Sequence, residues 1–567
     1  SIMATAAPPA TAAPPPNTAT APPAGTVAAE KVGAGRSANG KEDDPRPQAH
    51  PVWEQLPGVQ YCVNTAPPWP EAIVSGFQHY IIALGMIVLM SSILVRPMGG
   101  GDEEKAKVVQ TMLFISGWNT LFQTLFGTRL PSVIGISYAY MIPITSIIVA
   151  RQNHLRTTLP QERFVDTMRA IQGALIIAGC FQMAFSFLGF WRNAIRLLSP
   201  LSLAPFITFT GLGLYHIGFP MLARCIEIGL PGLLVIVVLS LYLHRYFRQW
   251  GRVGERFSPL FSVVIVWLFA EILTLSSAYN HKPLNTQHSC RTDRAGLISS
   301  SSWVSIPYPF QWGSPTFNSG ESFAMIAASF VSLFESTGTF FATARYASAT
   351  PVPPSVVSRG TGWVGVGVLL NGMFGGISGC TASLENTGLL ALTKVGSRRV
   401  IQIAACFMII LSMFGKVGAI FASIPLPIVA ALYCTLLGYT SSAGLSFLQF
   451  CNLNSFRTNI ILAYSFFLGL SVPQYMREYY WMRSSCRSHY SGSCWFQDML
   501  VTVFSSHATV SSLISVTLDL TLARDNDEAM RDNGLKWWER FSLYRSDIRN
   551  NEFYDLPWML NKYFPSV

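Results

Sequence analysis

The chain has 567 residues, of which 50% are hydrophobic and only 12% charged. A soluble globular domain carries about a quarter charged residues, so half that share, with long apolar runs, excludes an ordinary soluble enzyme and indicates a polytopic membrane protein. The formal net charge of +10 calls for no nucleic-acid partner: basic residues gather in membrane-protein loops beside anionic headgroups, and the partner implied is the lipid bilayer.

Residues 1–50, with "ATAAPPATAAPPPNTATAPPAG", form an Ala/Pro/Thr-rich tail without apolar periodicity. Such a segment cannot bury enough surface to offset its ordering entropy and is expected to be disordered; it has no apolar core of the signal-peptide kind. Aromatics and prolines in "HPVWEQLPGVQYCVNTAPPWPEAI" suggest an interfacial lead-in. Hydropathy then places spans at 73–95, 108–127, 132–150, 170–191, 199–220, 226–243 and 257–278, a polar loop at 279–320, and further spans at 322–345, 358–377, 379–394, 399–421, 427–447, 458–474 and 498–521. The expected fold is therefore an all-α polytopic membrane protein with 14 transmembrane segments.

Two of these spans are poor: "LPSVIGISYAYMIPITS" and "GCTASLENTGLLALTK" are broken by Gly, Pro and polar residues. Each is third in a set of seven. The sets start near Ile73 and Phe323, an offset of 323 − 73 = 250, and the weak segments centre near Ser137 and Ser383, an offset of 383 − 137 = 246. Seven spans per set invert one half relative to the other, and interrupted segments at matching positions point to a transporter's binding site. The alternative is a pair of ordinary kinked helices with packing glycines.

Ionisable groups at membrane depth are costly and default to a functional reading. Glu335 lies mid-span in "SFVSLFESTGTFFATARYA", Glu385 in the broken tenth segment, and Gln78 and His79 early in the first span. Bland readings stand beside these: Glu335 paired with Arg345, Gln78 as interhelical glue, His79 as a core histidine. Glu385 is hardest to explain structurally, because a carboxylate at a helix start faces free N–H groups and the positive dipole end.

"ENTGLLALTK" (Glu385 to Lys394) resembles the signature of the nucleobase–ascorbate transporter family, in which Gln, Glu or Pro precedes N-x-G-x-x-x-x-T and then Arg, Lys or Gly. "QH" in the first span, "SYA" in the third and "ESTG" in the eighth resemble it too, and "VGSRRV" and "NLNSFRTN" resemble the plant branch of leaf permease type. The resemblance spans roughly 50–545. It implies a seven-plus-seven inverted repeat with core and gate domains and short antiparallel strands in segments 3 and 10. The core would be 71–193 and 321–421, the gate 194–278 and 422–521, with 522–567 a cytoplasmic tail. It also implies a homodimer and elevator-like transport.

Carried over by position, Glu335 and Glu385 match the family's base-binding glutamates, and Tyr138 an aromatic that stacks on the heterocycle. Backbone N–H groups at Ser383 and Leu384 would answer substrate carbonyls. Asn386 and Thr393 would orient the motif, His79 with Gln78 would hold core geometry, and Arg457 is a candidate for gating beside the reading of a plain loop arginine. Thr339 stands where other members carry Asp or His, which removes a titratable group from the ion route. Glu385 in place of the Pro of ascorbate-transporting members ranks xanthine and uric acid first, with uracil-type bases or ascorbate as alternatives. A buried carboxyl favours its protonated form, so proton symport is expected, with Glu335 carrying the proton and Glu385 holding substrate. No cofactor and no metal are expected, since the chain has no H-E-x-x-H, no supported G-x-S-x-G and no metal-ligand cluster. An enzyme is thereby disfavoured; an anion exchanger of the same architecture would lack the two glutamates.

Basic residues in "HRYFRQWGRVGERF" and "KVGSRR" place both termini in the cytoplasm, and the plasma membrane is the expected location. Cys290, Cys486 and Cys494 then lie outside, where Cys486 and Cys494 are candidates for a disulfide.

Overall fold

The computed structural model describes residues 55–154, 159–243, 251–292, 303–416, 424–482, 494–523, 537–538, 547–557 and 560–562. The Ala/Pro-rich tail, Cys486 and the side chain of Cys494 lie outside this set. The main elements are α1 (Trp69–Met98), α2 (Asp102–Leu125), β1 (Ile134–Ile136), α3 (Met141–His154), α4 (Pro160–Phe187), α5 (Pro200–Leu212), α6 (Ile226–Val237), α7 (Ser258–Leu275), α8 (Ser319–Tyr346), α9 (Pro354–Phe374), β2 (Cys380–Ala382), α10 (Leu384–Thr393), α11 (Arg398–Met413), α12 (Leu426–Ser446), α13 (Phe456–Met482), α14 (Cys494–Phe504) and α15 (His507–Thr521). Among the described residues, six helical runs are long and apolar enough to cross a membrane, and α14 with α15 makes a seventh if that bent pair is one span.

Several helices start where the sequence signals it. Pro occupies the first turn of α4, α5, α7, α9 and α12, where its missing N–H costs nothing. Asn318 caps α8 through its side-chain oxygen, satisfying N–H groups that have no partner within the helix.

Packing repeats itself between the two halves. α4 lies against α9, and α2 against α11; α1 lies against α11, and α8 against α4. Exchanging α1, α2 and α4 with α8, α9 and α11 turns the first contact of each couple into the second. The apolar core is continuous across these contacts, whereas α6 and α7 leave Leu230, Leu234, Leu268 and Ile272 exposed.

Two features were not anticipated from the sequence. The span at 498–521 is not one helix: α14 and α15 meet at a 74° bend. No Gly or Pro marks the break. Ser506 makes it possible by accepting the Thr509 N–H at 3.3 Å, which caps the second helix. As a result α14 packs on α8 and α3 while α15 packs on α13 and α5. The cysteines also hold a bond that sequence reading missed, Cys225–Cys290.

The tenth segment owes its fit to one glycine. A Cβ at Gly388 would stand 2.0 Å from the Leu436 carbonyl oxygen, and a backbone atom cannot swing away. Gly388→Ala is therefore expected to destabilise the α10–α12 contact by about 1–3 kcal/mol, the usual cost of overpacking. Thermal midpoints of detergent-purified protein followed by fluorescence chromatography check this; an unchanged midpoint contradicts it.

Candidate functional site

The two broken segments meet. β1 and β2 pair antiparallel in the register Ile134↔Ala382, Gly135↔Thr381 and Ile136↔Cys380. The ladder continues one step at each end, with Ser383 N–H donating to Val133 O and Ser137 N–H to Gly379 O, both at 2.9 Å. Each strand is three residues long, and each supplies the other's hydrogen bonds. Pairing of that kind lets irregular backbone persist in an apolar interior.

Each strand then runs into a serine-capped helical turn, and each serine holds a glutamate. Ser137 Oγ accepts the Ala139 N–H at 3.1 Å and donates to Glu335 Oε2 at 2.8 Å. Ser383 Oγ accepts the Asn386 N–H at 3.3 Å and donates to Glu385 Oε2 at 2.9 Å. The amide of Asn386 adds a second bond to Ser383, Nδ2 to Oγ at 2.9 Å, and its oxygen accepts from His79 Nδ1 at 2.9 Å. A chain of donors thus runs His79–Asn386–Ser383–Glu385. Glu335 does not pair with Arg345; its partner is Ser137.

A cavity of about 320 Å³ opens against this arrangement, within the 300–1,000 Å³ of small-molecule sites. Its wall includes Tyr138, Glu335, Thr210, His216, Arg477 and His507. They come from the turn after β1, from α8, from α5 and the turn after it, from α13 and from α15. Glu335 supplies a carboxylate to the wall and Arg477 a guanidinium.

The other expected residues fall elsewhere. Glu385 is buried at 5% exposure and does not line the cavity. The Ser383 N–H is spent on Val133 O, so it cannot answer a substrate carbonyl, contrary to expectation. The Leu384 carbonyl accepts from Thr440 Oγ1 at 2.7 Å. Thr339 and Thr393 donate to the carbonyls of Glu335 and Leu389 in their own helices. Gln78 is buried with neither amide atom paired among the described residues. Arg457 does not line this cavity; it holds Asp519 at 2.8 Å and so ties the start of α13 to the end of α15. Sequence reading missed Ser137 as the ligand of Glu335, although the 246-residue offset from Ser383 marks it. His216, Arg477 and His507 carried no signal, because only folding brings them together.

Long apolar helices around a cavity that ends on a buried-side carboxylate, beside two capped half-helices, are the parts of a membrane transport protein. The permease family model matches residues 70–478. An Arabidopsis thaliana relative is 61% identical over 526 residues, which is 92% of this chain and 96% of its own. Nucleobase-ascorbate transporter 7 of the same plant is 55% identical over 520 residues, covering 92% and 96%. Nucleobase-ascorbate transporter LPE1 of Zea mays is 52% identical over 518 residues, covering 91% and 98%. The chain belongs to the plant nucleobase–ascorbate transporter family, and is a multi-pass membrane transporter rather than an enzyme. Among solved structures, the transmembrane domain of the cyanobacterial bicarbonate transporter BicA aligns at 14% identity and a TM-score of 0.38, over 79% of this chain and 96% of that one, a likeness too slight to argue from.

Proposed function

We propose that the chain is a secondary active transporter that takes up nucleobases, xanthine and uric acid foremost, together with protons. One observation carries this reading: Tyr138 and Glu335 share the wall of one cavity at the end of the strand pair. A purine offers a flat ring to the first and an N–H edge to the second. Glu385, held at the start of α10 behind the cavity wall, is the second carboxylate in this proposal: the base reaches it when the core moves, and it is then the firmer ligand for ring N–H groups, while Glu335 carries the proton.

The exchange of packing partners between halves supports fourteen crossings as a seven-plus-seven inverted repeat. In this reading the core is 71–193 with 321–421, and the gate 194–278 with 422–521. Alternating access has physical support at the end of the molecule away from the cavity. Glu71 lies in the first turn of α1, and Pro97, which lines the cavity, in the last; at 1.5 Å per residue these are about 39 Å apart. There Glu71 pairs with Arg256, and Lys394 with Glu255 at 2.6 Å. Both pairs join core to gate, and both must part for the core to move as an elevator.

In this reading both termini lie in the cytoplasm and the protein sits in the plasma membrane. Cys225–Cys290 agrees with it, since both cysteines fall in segments assigned to the outside. The exposed leucines of α6 and α7 suit lipid or a second copy in a homodimer.

Radiolabelled uptake with counterflow, across xanthine, uric acid, uracil and ascorbate, tests the function. Xanthine counterflow is expected; uptake without counterflow, or ascorbate preferred to every base, contradicts the proposal. Tyr138→Ala is expected to raise the apparent KM for xanthine about 5- to 150-fold, the equivalent of about 1–3 kcal/mol of base–aromatic stacking. An unchanged KM removes Tyr138 from the site.

A further inference from the structure

Tyr138 already has a ring against it. The imidazole of His216 lies 4.6 Å from it, centroid to centroid, with the planes 57° apart. His216 belongs to the short turn Tyr215–Ile217 that follows α5. The turn runs close under α15: a Cβ on Gly213 would meet the Phe209 carbonyl oxygen at 2.7 Å and His507 Cβ at 3.1 Å, so only glycine lets the chain pass. Tyr215 backs His216 edge to face at 5.9 Å. Tyr215 is held in turn by its hydroxyl on Gln474 at 2.7 Å, by the His507 ring at 5.8 Å and by the Arg477 guanidinium over its face at 5.8 Å. The imidazole is thus pressed on Tyr138 by a cluster built from α13 and α15.

A planar base placed between two rings needs about 7 Å between them, twice the contact distance of about 3.5 Å. The observed 4.6 Å is too little. A base that stacks on this face of Tyr138 has to move the imidazole off it.

We propose that His216 is a positioning residue that acts as an internal competitor: its ring holds the stacking face of Tyr138, and every incoming base must displace it. The inference rests on the reading of Tyr138 as the stacking wall. Its thermodynamic signature is specific. A competitor built into the protein lowers apparent affinity by the fraction of molecules in which the face is free, and that fraction is the same for every base. His216 therefore sets the level of affinity without setting the order of preference.

The test is KM for xanthine and for uracil in the full-length protein, with surface amount measured by biotinylation. His216→Ala is expected to lower both KM values by one common factor, about two- to tenfold for the loss of one aromatic contact. His216→Phe, which restores a ring without nitrogens, is expected to return both toward the parent. On a Tyr138→Ala background, removing His216 is expected to change nothing, because the contested face is gone. His216→Asn serves if the alanine variant fails to reach the membrane, with the same direction expected. Raised KM for both bases, or unequal changes for the two, overturns the competitor and makes His216 a structural or a direct substrate contact. If Tyr138→Ala weakens binding and His216→Ala leaves KM unchanged, the competitor alone fails; if Tyr138→Ala has no effect, the site reading falls with it.

Discussion

Glu335→Gln is expected to bind xanthine and to lose proton-driven accumulation entirely. The amide oxygen of Gln can accept from Ser137 as Glu335 Oε2 does at 2.8 Å, so the cap on the turn after β1 survives. The amide cannot take up or release a proton. Glu335 is the carboxylate that meets the cavity, and so the one placed to exchange protons with the solution that fills it. The driving force at stake is large. One elementary charge crossing 100 mV supplies about 2.3 kcal/mol, and one pH unit about 1.4 kcal/mol. Together they sustain roughly a 500-fold concentration ratio for a neutral base moved with one proton. Vesicles with an imposed pH gradient measure it: the parent accumulates, more so as the external pH falls, and a protonophore collapses the gradient, while the variant equilibrates near unity yet still shows counterflow. Accumulation by the variant equal to the parent's, or uptake that follows sodium and ignores the protonophore, rules out this coupling scheme.

What the sequence disclosed and what it hid divide along a physical line. Periodic and repeated features were legible. The offset of 246 that relates Ser137 to Ser383 also relates Ile134 to Cys380 and Ile136 to Ala382, the bounds of the two strands. Composition located the breaks, because Gly, Pro and hydroxyl residues at membrane depth need special pairing. The strands themselves came only from the family resemblance, as three residues are too few for an alternating pattern to register. The bend between α14 and α15 was hidden because serine, unlike proline, breaks a helix only when its hydroxyl turns inward to cap. The cavity wall was hidden for a different reason: Tyr138, His216, Glu335, Arg477 and His507 are far apart in the chain, and no local rule links them. The role given to the Ser383 N–H failed because the same group was needed to close the ladder.

Glu385→Ala is expected to abolish uptake while the protein still reaches the membrane, and the neighbouring hydrogen bonds show how to read that loss. Glu385 stands in the first turn of α10, where a carboxylate is favoured by about 0.3–1 kcal/mol by the helix dipole. It is also the final acceptor of the chain from His79 through Asn386 and Ser383. Truncation leaves the Ser383 hydroxyl without its acceptor, at a cost of about 1–3 kcal/mol for a buried donor, too little by itself to unfold a core of this size. Glu385→Gln separates the two roles. It keeps an oxygen for Ser383 and so repairs the local network, but it replaces a charged acceptor by a neutral amide whose other half is a donor. If the carboxylate receives the N–H groups of the base, this variant should fold as the parent does and show a KM for xanthine raised about 10- to 150-fold, matching about 1.5–3 kcal/mol for a hydrogen bond to a charged group. Normal transport by Glu385→Gln would reduce Glu385 to a cap on α10 and leave Glu335 as the carboxylate that meets the base.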